Sequence, residues 1–338
     1  MDYLLILETS VKFIFKVLAG LVGSLLLSGS VLAQTFPTKP VTLMVPYPAG
    51  GVSDVIARTL NVSLAKHLGQ PVIVENLGGA SGAIAAQKVL NAPADGHIIF
   101  QGGPNELILA PLANAAVKYK SEEFRLVQMI TINPMAVLAR KDLPVNNGDE
   151  LVAYAKKAAA SGAPMTFASV GPGSMYHLLG EHMSKVTGLP MTYVPYKGGA
   201  PAQQDLMAGL VDIFMTPFGK SHGQLVEEGK LKVVGVLSAD RQSMFKKAPT
   251  LNDSKALKGF VFEMWSGYFV RKDTPEAVVQ ALHKALSEVA NDLAVREALE
   301  AQSMIVPRPQ PLAAMNKIYA DNTARYRGIA KAMNLQPE

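Results

Sequence analysis

Cysteine is absent from the 338 residues, which excludes disulfides, thiolate metal sites, iron–sulfur ligation and a cysteine nucleophile while leaving an oxidising compartment open. Histidine is sparse. His67, His97, His177, His182, His222 and His283 stand apart, without HExxH or another tight ligand pair, so no metal is expected. Neither GxGxxG nor GxxxxGK[ST] occurs, which leaves nucleotide binding without a motif. Basic blocks are missing as well: 32 Lys and Arg against 27 Asp and Glu give a net charge of +5 spread along the chain, not the footprint of a nucleic-acid partner. What is present is apolar residue, 49% of the total, with only 17% charged. That is enough to bury a core, and the length suits about two domains.

The amino terminus reads as an address. Val17 to Leu27 is an apolar stretch preceded by Lys12 and Lys16 and followed by Val31-Leu32-Ala33, the order of a secretory signal with a small-residue cleavage site, so residues 1–33 are expected to be removed after Ala33. Asp2 and Glu8 lie where a basic region belongs, as they would if the start codon were set too far upstream. A membrane anchor is the alternative, but the stretch is shorter than the ~20 residues a span needs. No later segment is long and apolar enough to span, so the mature chain is expected to be soluble.

Beyond the signal one grammar is written twice. Val41–Val45 reads as a buried strand that breaks at Pro46-Tyr47-Pro48-Ala49-Gly50-Gly51 and restarts as a helix with Val52, Ile56, Leu60, Leu64 and Leu68 on one face. Gly69 ends it, and Val72-Ile73-Val74 leads to a second turn, Gly78-Gly79-Ala80-Ser81-Gly82. In the second copy Met165–Ala168 is the strand, Ser169–Ser174 the turn, and Ser174–Val186 the helix ended by Gly188. Met191–Val194 then precedes the turn Lys197-Gly198-Gly199-Ala200-Pro201. Two α/β lobes of similar plan follow from this repeat. Phe124–Ala139 is expected to carry strands from one lobe to the other, with the return near Phe260–Val270. Thr274-Pro275-Glu276 reads as a cap with Pro at the first helical position, and the prolines of 307–311 precede a last helix that closes the first lobe.

Mostly parallel strands place a ligand crevice at their carboxyl ends, where all four glycine turns fall. A glycine turn opening a helix exposes amides without internal partners at the positive end of the dipole, which suits a carboxylate or phosphate. The same glycines also serve simply as tight turns. Asp54, in the first turn after Gly51, opposes a second anion; it is left either to hold an amine or to order the loop. One helix terminus contributes roughly 0.3–2 kcal/mol, whereas a micromolar complex needs about 8. Two turns from opposed lobes, gripping both ends of a dicarboxylate or amino acid, come closer.

The strings Pro46-Tyr47-Pro48-Ala49-Gly50-Gly51-Val52-Ser53-Asp54, Leu68-Gly69-Gln70-Pro71-Val72-Ile73-Val74-Glu75-Asn76, Ala168-Ser169-Val170-Gly171-Pro172-Gly173-Ser174 with His177, and Val194-Pro195-Tyr196-Lys197-Gly198-Gly199-Ala200-Pro201 resemble the Bug (TctC-like) substrate-binding proteins of tripartite tricarboxylate transporters, over essentially the whole mature chain. The resemblance implies an α/β, two-lobed periplasmic binding protein of type II (Venus flytrap) with two hinge-crossing strands. It implies a first lobe of residues 34–135 and 261–338 and a second of 136–260. It further implies a monomer without cofactor, whose partners are a small carboxylate and the membrane permease subunits. The ligand is expected between the loop Tyr47–Gly51 and the loop Ser169–Ser174. The candidate binding residues are Tyr47, Ala49, Gly50, Gly51, Asp54, Ser81, Gly82, Ser169, Gly171, Gly173, Ser174, His177, Lys197 and Thr216. Three departures bear on ligand identity: Asn76-Leu77-Gly78-Gly79 replaces the family's usual Asn-Arg-Pro-Gly, Thr216 stands where Asp is frequent, and Tyr119-Lys120-Ser121 replaces Tyr-Asp-Pro.

Other readings are an extracytoplasmic sensor for a membrane signalling partner and a serine hydrolase. The hydrolase lacks the Gly-x-Ser-x-Gly elbow, and His177 lies only three residues from Ser174. Lys197 serves either a ligand anion or solvent. Tyr47 and Tyr196 either line the cleft or cap the core, and Trp265 reads as a hinge or core aromatic more than a stacking platform.

Overall fold

A computed structural model describes residues 36–171, 173–196, 198–241, 248–332 and 334–337. The export signal, its cut after Ala33, and Lys197 lie outside the described residues. Short runs rich in Val, Ile and Leu form strand β1 (Val41–Val45), followed by helix α1 (Val52–Leu68), strand β2 (Val72–Asn76), helix α2 (Ala83–Asn91) and strand β3 (Ile98–Gly102). Gly69 ends α1 in the left-handed conformation, its N–H donating to Ala65 O, a conformation that glycine adopts without penalty. On α1, Ile56, Leu60 and Leu64 are buried as the periodicity predicts, but Val52 is exposed. It sits at the first helical position, beside the exposed Gly51 and above the core.

β1 pairs in parallel with both β2 and β3. Phe124–Ala139, expected as strands in the plural, is one strand, β4 (Phe124–Arg140), with Pro134 inside it. Its first part, to Pro134, pairs antiparallel with β9 (Glu263–Arg271), which also pairs with β3. From Met135 onward β4 pairs instead with β7 (Ile213–Pro217) and, on its other edge, β8 (Leu231–Val236). Two register shifts fall between Leu126 and Thr131 and one at Val137/Leu138; such bulges strengthen local twist.

The second sheet continues through β5 (Thr166–Ser169), parallel to both β7 and β6 (Thr192–Pro195). Helices α3 (Gly148–Ala160), α4 (Met175–Thr187), α5 (Gly199–Ala208) and α6 (Lys220–Glu227) belong to this part of the chain. The carboxylate of Asp212 ties three of its strands together, accepting from Arg140 Nε at 2.9 Å, Thr166 N at 2.9 Å and Thr166 Oγ1 at 3.0 Å.

After β9 come α7 (Glu276–Asn291), α8 (Leu293–Glu300) and α9 (Leu312–Ala332). Pro275 is the cap of α7 rather than its first residue, one position from expectation. α4 meets the α9 end of the chain: the Lys185 ammonium donates to Ala332 O, and the His182 ring stacks on Phe260 at 5.5 Å. One apolar cluster runs from Met44, Phe100 and Leu107 through to Phe167, Leu179 and Met215, joining the two cores.

Gly180 lets α4 lie directly on β5. A Cβ there would come 2.0 Å from the Phe167 ring, and Phe167 is fully buried. Gly180→Ala is therefore expected to destabilise the fold by about 1–3 kcal/mol despite alanine's better helix propensity. Urea unfolding should show a lower midpoint at unchanged slope, and a stabilised variant would contradict this packing.

Candidate functional site

Each glycine turn follows the carboxyl end of a parallel strand: Pro46–Gly51 after β1, Gly78–Gly82 after β2, Ser169–Ser174 after β5. The first two turns touch, since a Cβ on Gly78 would lie 3.3 Å from Pro48 Cδ. Gly82 is buried between Pro46 and the Glu106 side chain, while Ser81 is exposed at φ 52°. Ala49, Gly50 and Gly51 are exposed. By register, Thr216 lies at the carboxyl end of β7 beside the Ser169–Ser174 turn, opposite Ala136, and is buried.

The first corner is braced from behind. Asp54 Oδ2 accepts from Gly50 N at 2.8 Å, and both carboxylate oxygens accept from Arg58 Nε at 3.0 and 2.9 Å. Asn76 Nδ2 donates to Tyr47 O at 3.1 Å. The Arg58 bond, then the Gly50 N–H, hold the Asp54 carboxyl below its usual range. So Asp54 orders the loop, and Arg58 offsets the charge that would repel an anion. No side chain caps α1 at Gly51, which leaves the first amides of a 17-residue helix facing the loop without a capping partner.

The second corner is different. Ser174 caps α4, its Oγ accepting from His177 N at 3.3 Å and donating to Gly171 O at 2.8 Å. Ser169 Oγ lies 3.0 Å from Ser174 Oγ and 3.1 Å from Gly171 O. Gly173 N donates to His177 Nδ1 at 3.1 Å, so the amide expected to meet an anion is engaged within its own turn. The His177 ring in turn packs on Tyr193, tilted by 33° with the ring centroids 4.3 Å apart. Ser174 and His177 thus form a cap and a brace; the imidazole nitrogen that a serine nucleophile would need accepts a backbone N–H instead.

The two turns belong to opposite sheets, yet they meet around one cluster that the sequence reading missed. A Cβ on Gly173 would fall 1.8 Å from Ala113 Cβ, so the second corner closes against the segment after β3. That segment includes a π-helical turn, Asn105–Leu109, and within it Glu106 is 6% exposed. Tyr47 OH donates to Glu106 Oε1, Gly103 N donates to Oε2 at 2.8 Å, and Asn105 Nδ2 donates to Tyr47 OH at 3.1 Å. Burial raises the Glu106 pKa against the opposing pull of these bonds. Burial, then the charge of Glu106, raises Tyr47 and takes Tyr176, in the first turn of α4, to about 12. Tyr47 is thus bonded to this carboxyl, and Tyr176, on α4, is near enough to feel its charge. The signal was present in the sequence: Gly102-Gly103-Pro104-Asn105 is a fifth glycine turn after an apolar strand, Ile98-Ile99-Phe100.

Two other expectations are placed. Tyr196 turns away, donating to Asp205 Oδ2 at 2.9 Å. Trp265 is a core residue, stacked near Phe269 at 6.1 Å with Nε1 donating to Asn322 Oδ1 at 3.3 Å. Among the described residues no group of three His, Cys, Asp or Glu is placed to hold a metal ion.

Two α/β lobes sharing a strand, with loops meeting over a polar floor, define the class: a solute-binding protein of the periplasmic type. Residues 56–335 match the tripartite tricarboxylate transporter family receptor, TctC, and the chain belongs to that family. Solved structures agree. The periplasmic binding protein BugD is 31% identical with a TM-score of 0.73, over 90% of this chain and 100% of its own. MatC from Rhodopseudomonas palustris, with bound malate, is 29% identical with a TM-score of 0.73, over 87% and 99%. An R. palustris protein with adipate is 28% identical with a TM-score of 0.76, over 90% and 100%. The homologues and fold neighbours of this chain are solute-binding proteins.

The Glu106 environment makes stability depend on pH. Because burial raises its pKa, the folded state holds the Glu106 proton more tightly than the unfolded chain. Stability from this group is therefore present below the unfolded pKa and lost as pH rises through the folded one. Glu106→Gln removes that loss, so its stability relative to wild type should grow from pH 4 to pH 8. Urea midpoints of the two proteins that keep a constant gap across this range would refute the burial of an ionising group here.

Proposed function

We propose that the protein is an exported receptor that captures a small carboxylate between its lobes and delivers it to a tripartite tricarboxylate-type permease. The export signal is cut after Ala33, the chain works as a monomer, and the lobes divide at 135/136 and 260/261. One observation carries the ligand class: α1 begins at an exposed glycine corner without a side-chain cap, while its first-turn acid is neutralised by Arg58. A carboxylate at that corner supplies the acceptor that the helix lacks. The malate and adipate held by two structural neighbours are acids of the expected size. The ligand's energy favours the closed arrangement over the open one.

A thermal-shift screen of dicarboxylates, amino acids and aromatic acids tests the reading directly. At least one acid should raise the melting temperature in a concentration-dependent way, and a flat response across all three classes would defeat it. Delivery is tested in cells: deleting the gene should abolish uptake of the radiolabelled acid, whereas intact uptake with a lost transcriptional response would favour the sensor.

Closure has its own variant. Any side chain at Gly173 meets Ala113 Cβ, and its φ of 68° adds strain of roughly 1–2 kcal/mol. Gly173→Ala should weaken binding of the screened acid at least tenfold and enlarge the radius of gyration in solution scattering with ligand present. Wild-type affinity in this variant would place the closing contact elsewhere.

A further inference from the structure

Buried carboxylates in proteins are ordinarily paired with a positive group, and among the described residues Glu106 has none. Tyr47 OH and the Gly103 N–H occupy its two oxygens but bring no charge. Among the described residues no Lys, Arg or His lies within ion-pair distance of it, although thirteen such pairs occur elsewhere. The groups gathered about it are phenols: Tyr47 on its carboxyl, Tyr119 donating to its backbone oxygen at 2.6 Å, and Tyr176 approaching from α4.

The position of this carboxyl matters as much as its isolation. Its side chain lies under Pro46 and Gly82, the two corners of the first lobe, and the tyrosine it holds is the start of the loop that leads to the open end of α1. Tyr47 begins the short loop that ends at the α1 corner, so a ligand held by a carboxylate at that corner lies within one loop's length of Tyr47 and, through it, of Glu106. An ammonium there supplies the missing countercharge, and Tyr47 keeps its phenolic bond to Glu106. A second carboxylate there meets a like charge in a poorly screened setting.

We propose that Glu106 is a specificity-determining residue that makes this cleft a receptor for zwitterionic acids, with one carboxylate and one ammonium, in preference to dicarboxylates. The proposal rests on the carboxylate-binding reading of the cleft and names the ligand class within it.

The test is calorimetry on two matched series, α,ω-dicarboxylates and ω-amino acids of three to six carbons, with wild type and Glu106→Gln. The amide keeps an acceptor for Gly103 N–H, and a folded variant is verified by circular dichroism and by its unfolding midpoint. Wild type should bind the best amino acid at least ~10-fold more tightly than the dicarboxylate of equal length, about 1.4 kcal/mol. Glu106→Gln should bring the two within about threefold, chiefly by weakening the amino acid and strengthening the dicarboxylate. Dicarboxylates bound by wild type as tightly as amino acids, or a Glu106→Gln variant that shifts both series equally, would overturn the inference and leave the carboxylate receptor standing. If neither series nor malate or adipate binds wild type, the carboxylate reading falls and this inference with it.

Discussion

Backbone hydrogen bonding along β4 is the constraint on which the rest depends. One strand of 17 residues is paired with β9 at one end and with β7 and β8 at the other, so the two sheets cannot be placed independently. Their parallel strands end in glycine turns, and a ladder shared through β4 brings those ends toward each other. Pro134 lies where the partners change, at a point where the strand's two ends need different neighbours. The bulges on either side supply local twist without breaking the strand.

The corners so confronted are unequal. On the first, the side chains stand behind the loop: Asp54, Arg58 and Asn76 brace Gly50 and Tyr47 from the rear and leave the mouth of α1 uncapped. On the second, Ser174 and His177 take up the cap and the Gly173 amide. The first is built to receive an acceptor, and the second to hold a rigid shape against Ala113. On the proposed reading, grip and closure are thus divided between the two corners. An amide left open on both sides would be hydrated in the open state, and both would have to be dried on closing; a self-satisfied second corner avoids half of that cost.

Beneath them Glu106 is the buried acid of the polar floor. A carboxyl this buried weakens the empty protein by the cost of its desolvated charge, and that cost is relieved by whatever brings a positive group to it. On the proposed reading, the same burial that costs stability becomes discrimination between ligands. Glu106 also fixes Tyr47, whose hydroxyl is held by Glu106 and Asn105, so the first loop is anchored to the buried acid.

Much of this was legible in the chain. Strand, glycine turn and helix recur with a period that physics restricts to few arrangements, and helix ends at Gly69 and Gly188 follow from the left-handed conformation that only glycine adopts freely. Local rules of this kind place the turns at the carboxyl ends of parallel strands and so locate the cleft. They could not say that Gly173 would spend its N–H on His177, because that depends on how an imidazole four residues later folds back. Nor could they isolate Glu106, which reads as an ordinary polar residue in a loop until Gly82 and Tyr47, distant in sequence, close over it. Which groups are buried, and which charges are left without a partner there, is decided by long-range packing; the sequence alone determined the parts and their order.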